Sequence, residues 1–193
     1  YAFLTNSDAH SLGKIGREYN ELLLREPSFN EFRLALQNLE GRAIVANYGL
    51  NPRLGKYHRT CCTACGTMAE HTGDLSSCCT TCGKKKLVRG VWDRIVSIAD
   101  QEHPQKQKSF ARPPYRYQVP LEFIPGLGKA KLGKLLAAFG TEMNILHTAD
   151  EASLADVAGA DVAEKIVKAR EGRLQLVDGG GGTYGKIAAD PGK

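Results

Sequence analysis

The sequence predicts an α+β chain assembled from several modules, and three observations carry that reading. All six cysteines fall in two matching hexads, Cys61-Cys62-Thr63-Ala64-Cys65-Gly66 and Cys78-Cys79-Thr80-Thr81-Cys82-Gly83. Upstream of them, strand-like apolar runs accompany a capped helix. Downstream, Leu132, Leu135, Leu136 and Phe139 recur at helical spacing behind two glycines. At 193 residues the chain can hold two or three small modules.

Taken in order, residues 1–6 are aromatic and apolar, as a buried strand would be. They read like the interior of a fold, so a preceding N-terminal part of the same protein is expected. Asp8 and His10 follow at once. Spaced two apart, they share one face of an extended segment. At the carboxyl end of a strand, such a pair can help hold a divalent metal and activate water. Taken alone, the pair fits an exposed turn better than a metal site. A helix is expected over Ile15 to Leu24, ending before Pro27. Ser28-Phe29-Asn30-Glu31 is a capping box. It opens a second helix with Phe29, Phe32, Leu36 and Leu39 on its apolar stripe, closed by Gly41. Residues 44–58 predict a short strand and a turn-rich run ending in Lys56, Tyr57 and His58, which are candidates for nucleic-acid contact.

Each cysteine hexad offers a C-x-x-C hook followed by glycine. Two hooks can present four thiolates to one structural Zn2+ in a closed shell. Cys61 and Cys78 compete with their neighbours for this role. Cys62, Cys65, Cys79 and Cys82 are favoured, because Gly66 and Gly83 then follow the second ligand of each hook. There a residue without Cβ lets the backbone fold back and face its N–H groups to sulfur. Arg59 and Lys84 to Lys86 would offset the charge of four thiolates. Disulfides are the alternative, disfavoured where the N-terminus is no secretory signal. Gly90 to Ala99 predicts a short helix with Val91, Ile95 and Ile98 inward. Trp92 is expected to pack the module against its neighbour rather than to stack on a base.

Residues 100–118 read as a linker, extended by Pro113 and Pro114. Arg112 and Tyr115 suit phosphate contact and base stacking, or a semi-rigid spacer. Beyond it, Gly126 and Gly128 permit a tight turn and close approach to a phosphate. The start of the next helix aims free N–H groups at such an anion. Gly126, Leu127, Gly128, Lys129, Lys131 and Lys134 are therefore candidate DNA-backbone contacts. Asp150–Val157 and Val162–Arg170 predict a second helix pair around Gly159, with Asp161 marking that turn as structural. Gly179 to Gly182 read as a flexible tail.

The charge balance, 26 Lys+Arg against 21 Asp+Glu, gives +5 and only hints at a polyanion. No apolar run approaches membrane-spanning length, so no membrane partner is expected, and a reduced cytoplasmic setting fits.

Asp8-x-His10 after a strand resembles the last metal-binding motif of PHP-type phosphoesterase domains. The run from Gly126 to Lys134 resembles the helix-hairpin-helix motif of DNA-repair proteins, and the second helix pair its usual twin. In this order, with the zinc module and the Arg-Pro-Pro-Tyr linker between, the whole chain resembles the endonuclease Q family. That resemblance implies the C-terminal part of a PHP α/β barrel over 1–55 and a zinc module over 56–99. It further implies a linker over 100–118, an all-α tandem helix-hairpin-helix unit over 119–178 and a Gly-rich tail over 179–193. It implies a DNA-repair hydrolase nicking 5′ of deaminated bases (uracil, hypoxanthine) or abasic sites. Asp8 and His10 would be part of a catalytic Mg2+, Mn2+ or Zn2+ cluster. The family's opening His-x-His is absent from this sequence, and the other four histidines are unpaired in spacing. The chain is therefore expected to bind DNA without cleaving it. The alternatives are a non-catalytic DNA-binding module and a protein–protein adaptor.

Overall fold

The computed structural model describes residues 2–70, 76–100 and 112–188. In chain order, strand β1 (Tyr19–Leu23) is followed by helix α1 (Phe29–Gln37) and strand β2 (Ala43–Leu50). The two-residue strands β3 (Cys61–Cys62) and β4 (Leu87–Val88) precede helix α2 (Val91–Ser97) and strand β5 (Tyr115–Gln118). Four helices follow: α3 (Lys129–Phe139), α4 (Glu142–His147), α5 (Glu151–Ala158) and α6 (Ala160–Arg170). Strands β6 (Leu176–Val177) and β7 (Lys186–Ile187) close the described chain. No helix among the described residues is long and apolar enough to cross a membrane.

The first sheet has the order β1-β2-β5, with β1 antiparallel and β5 parallel to β2. It corrects three expectations. The helix foreseen over Ile15 to Leu24 is instead a single 3-10 turn at Leu12–Lys14 followed by β1. Tyr19 stacks flat on Tyr48 at 4.4 Å, and the Tyr48 hydroxyl donates to Glu21. These cross-strand contacts, far apart in sequence, outweigh the weak local helical pattern. Residues 2–6 form no strand. They are pinned by side chains, Asn20 exchanging two hydrogen bonds of 2.8 Å with the Thr5 backbone and Asn47 donating to the Phe3 carbonyl. The end of the presumed linker is β5 itself. Its Tyr115 hydroxyl lies where a Cβ on Gly49 would stand, 2.2 Å away, so a larger residue there would have to push that side chain aside.

Helix α1 begins as expected, the Glu31 N–H donating to Ser28 Oγ at 3.3 Å. It ends three residues earlier than Gly41 would place it, through Asn38 in the left-handed region at φ 54°. The Glu31 carboxylate does not return to the cap. Arg42 grips both its oxygens at 2.7 Å, and the pair is buried.

The core gathers Leu121, Leu135, Ile145, Leu154 and Ile166 from the helical unit, with Leu54 and Ile187 from outside it. The glycine run is thus no loose tail. Gly180 and Thr183 exchange both backbone hydrogen bonds, and Gly181 and Gly182 turn the chain at φ 62° and 92°. A two-residue hairpin turn of this kind needs positive φ at both positions, which glycine supplies. The turn lies on the cysteine module, where the Arg59 N–H donates to the Gly179 carbonyl.

Helix α2 is rotated from its expected pose. Val91, Ile95 and Ile98 are exposed, and Asp93 is the buried residue. Its carboxylate accepts the Thr60 N–H at 2.5 Å and Arg59 Nε at 3.1 Å, while the Gly90 N–H donates to Thr60 Oγ1. A buried carboxylate satisfied this way fixes the helix more firmly than an apolar stripe over so small a module could.

Candidate metal centre and nucleic-acid interface

The two hooks converge as their sequence implies. The sulfurs of Cys62, Cys65, Cys79 and Cys82 all lie within 4.8 Å of one another. Cys62–Cys82 and Cys65–Cys79 are each 3.7 Å apart. A tetrahedron with metal–sulfur bonds of about 2.3 Å has edges of about 3.8 Å, so the spacing fits one four-coordinate ion. Each hook is the same backbone device. The Gly66 N–H donates to the Cys62 carbonyl and the Gly83 N–H to the Cys79 carbonyl, both at 2.8 Å, with φ of 74° and 68°. Cys61 faces elsewhere, its thiol directed at the Gly66 carbonyl and its Cβ against the Gly180–Gly181 turn.

The local electrostatics ask for a cation. Thr67, through its hydroxyl and backbone, draws the Cys65 thiol down to about 6. The Lys84 N–H favours a Cys82 thiolate, but desolvation and the neighbouring sulfurs push that thiol up to about 11. Four sulfurs this close cannot all ionise unless a positive charge sits among them. Arg59, expected to supply part of that charge, is engaged by Asp93 and by the Ala69 carbonyl. Lys84, Lys85 and Lys86 remain exposed around the hook.

The first glycine turn forms as predicted. Gly126 has φ 85°, and Gly128 caps α3 without a side-chain hydrogen bond. The first-turn N–H groups of α3 thus lack a cap, and Lys129, Lys131 and Lys134 are all exposed beside them. Leu127 plays a different part from a surface contact. Its side chain is buried and its N–H donates to the Ile124 carbonyl at 3.1 Å, so it anchors the turn to the core. The second turn buttresses the first: Asp161 pairs with Lys165 at 2.6 Å, beside Gly126, and Lys165 Nζ reaches the Pro125 carbonyl at 3.4 Å.

Arg112 and Tyr115 both stay exposed while touching neighbours within the chain. The Arg112 guanidinium lies 5.0 Å over the Phe3 ring, and Tyr115 packs on Gly49 and Tyr117. Asp8 and His10 approach to 3.3 Å, both almost fully exposed, and no third candidate ligand joins them among the described residues. Asp8 borders a cleft of about 190 Å3 with Arg17, Glu142, Phe123 and Tyr184. Arg17 spans it, binding Glu122 at 2.9 Å and Glu142 at 2.8 Å, and so ties the Asp8 segment to the helical unit. The Arg17 ties, the Asp93 clamp and Tyr184 escaped the sequence reading. Each depends on a partner more than thirty residues away.

Fold and site together define an α+β protein that carries a four-cysteine cluster able to hold a metal ion and a lysine-rich glycine turn. Two solved structures share the fold. The crystal structure of the lesion-specific endonuclease PfuEndoQ from Pyrococcus furiosus aligns with TM-score 0.80 and 37% identity, over 98% of this chain and 50% of that one. Endonuclease Q in complex with a 27-mer duplex substrate bearing an abasic lesion at its active site aligns with TM-score 0.77 and 35% identity, over the same shares. The resemblance to the endonuclease Q family is thereby shown across nearly the whole chain. Two further relatives carry no functional name. The uncharacterized protein YqxK of Bacillus subtilis is 54% identical over 97% of this chain and 46% of its own length. The uncharacterized protein MJ0043 of Methanocaldococcus jannaschii is 35% identical over 99% of this chain and 26% of its own. The chain thus spans half or less of each relative it matches. No family model matches it.

Proposed function

We propose that this chain is the DNA-gripping, C-terminal part of a cytoplasmic, metal-dependent DNA-repair endonuclease that nicks 5′ of deaminated bases or abasic sites. The observation that carries the reading is the likeness, over 98% of the chain, to an endonuclease solved on lesion-bearing duplex DNA. The uncapped start of α3, with three exposed lysines beside it, supplies the chemistry for holding a phosphate. Residues 1–55 are read as the end of a PHP-type domain, 56–99 as a zinc module and 119–178 as tandem helix-hairpin-helix.

In this reading Cys62, Cys65, Cys79 and Cys82 hold a structural Zn2+, which stiffens the platform between the catalytic and DNA-gripping parts. Asp8 and His10 hold one edge of a catalytic Mg2+, Mn2+ or Zn2+ cluster. Such ions, when bound, lower the pKa of a coordinated water and polarise the phosphodiester. The contribution of this chain is to present one carboxylate, at the edge of the cleft, and one imidazole 3.3 Å from it. Among the described residues no further ligand joins them.

The test uses end-labelled duplexes carrying one uracil, hypoxanthine or abasic site, or none, with Mg2+ or Mn2+. Retardation without nicking is expected for this chain, and a nick confined to the lesion strand for the longer protein that contains it. A chain that retards no duplex is not the DNA-gripping part. A longer protein that leaves every lesion intact is not this nuclease.

A further inference from the structure

Lys56, Tyr57 and His58 lead into the first hook, and α2 lies alongside them. The Val91 N–H donates to the Tyr57 carbonyl at 2.7 Å and the Trp92 N–H to the His58 carbonyl at 3.0 Å. The His58 and Trp92 rings lie 6.2 Å apart and nearly parallel, at 26°. Burial pushes the His58 pKa down, so near neutral pH it backs Trp92 as a flat uncharged ring. Tyr57 and Trp92 nevertheless stay 54% and 44% exposed. Their ring faces are therefore open to a planar ligand.

The surface continues toward the glycine turn. Lys56 Nζ sits 4.6 Å over the Tyr184 ring, and Tyr184 meets Phe123 edge-on at 5.6 Å. Phe123 closes the short 3-10 turn Leu121–Phe123, from which the chain passes directly into Gly126. Aromatic and cationic groups therefore run without a break in the covalent and ring contacts from the zinc module to the lysine-rich turn. Neighbouring acids are turned away from this role: Asp93 is buried on Thr60 and Arg59, and Asp178 is bound by Arg53.

We propose that Tyr57 and Trp92, with Lys56, form a stacking platform for unpaired bases of the DNA whose backbone is held at Gly126–Lys134. Exposed ring faces accept any base, because every base has a π-face, whereas a phosphate grip alone cannot distinguish paired from unpaired DNA. The inference rests on the DNA-binding reading and adds a preference to it: unpaired segments bind more tightly than fully paired duplex.

Trp92 is the single tryptophan of the sequence, so its emission reports this surface directly. An oligothymidylate and a duplex with a single-stranded tail serve as probes, with a blunt duplex as the reference. Quenching of Trp92 by the first two is expected. Trp92→Ala or Tyr57→Ala should weaken the tailed duplex about tenfold relative to blunt duplex, with metal content and circular dichroism unchanged. Trp92→Phe should largely restore the preference. Should Trp92→Ala fail to fold, Tyr57→Ala and wild-type quenching decide the matter. Saturated binding with unaltered emission, or equal losses on tailed and blunt duplexes, overturns the platform while leaving the phosphate grip intact. Absence of binding to every probe overturns the DNA reading itself.

Discussion

Glu31 stands where the capping-box pattern gives it one role, and the fold gives it another. Two bonds from Arg42 and then the Arg25 N–H lower its pKa from 4.5 to about 2. The folded value lies below the unfolded one, so the folded state binds the proton less readily. The stabilisation is fully present above pH 4.5 and is lost as pH falls toward 2. Glu31→Gln should flatten the stability profile across that window, whereas Glu40→Gln, an exposed partner of the same arginine, should leave it unchanged. Denaturant melts at stepped pH decide this, and parallel profiles for Glu31→Gln and wild type would refute it. Gly90 is a second single-residue constraint. A Cβ there would stand 2.3 Å from the Arg59 carbonyl carbon and 2.4 Å from the Thr60 nitrogen, backbone atoms that cannot yield cheaply. Gly90→Ala should cost about 3 kcal/mol, read as a shifted denaturation midpoint at unchanged m-value. An unshifted midpoint would mean that α2 is not held against the hook as described.

At the scale of elements, the cysteine hooks were legible because their information is local. Two C-x-x-C-G units already contain ligand spacing and the left-handed glycine, and nothing distant is needed to fold them. The metal content of variants checks the ligand set. Wild type and Cys78→Ser should each carry one zinc per chain, while Cys65→Ser and Cys82→Ser should lose it. Metal retained by Cys65→Ser, or lost by Cys78→Ser, would shift the register within the hexads. The sheet was illegible for the opposite reason. β1 shows a helix-like pattern until Tyr48 is beside Tyr19, and the segment after the two prolines becomes β5 only when it pairs in parallel with β2. The glycine run looked like a tail, since nothing near it in sequence shows the hook on which it packs. Helix α2 misled in a subtler way. Its apolar residues suggested the inward face, yet a single buried carboxylate, Asp93, decided the rotation.

Across the whole molecule, a net charge of +5 is too small to argue nucleic-acid binding by itself, so the placement of charge has to carry the argument. Lys129, Lys131 and Lys134 are exposed on α3, beyond a turn whose Leu127 is rooted in the core, so they move with a rigid support. If three phosphates are neutralised there, the logarithm of the association constant should fall against the logarithm of salt with a slope of about −3. Each lysine replaced by alanine should reduce that slope by about 1, with zinc retained, because phosphate contacts are lost one by one. Gly126→Val acts differently. It keeps every charge but cannot hold φ 85° without strain, so affinity should fall while the slope of the remaining contacts persists. An adaptor with incidental charge would show a flat salt response in all of these proteins. A slope unmoved by the three lysine replacements would place the DNA on another face.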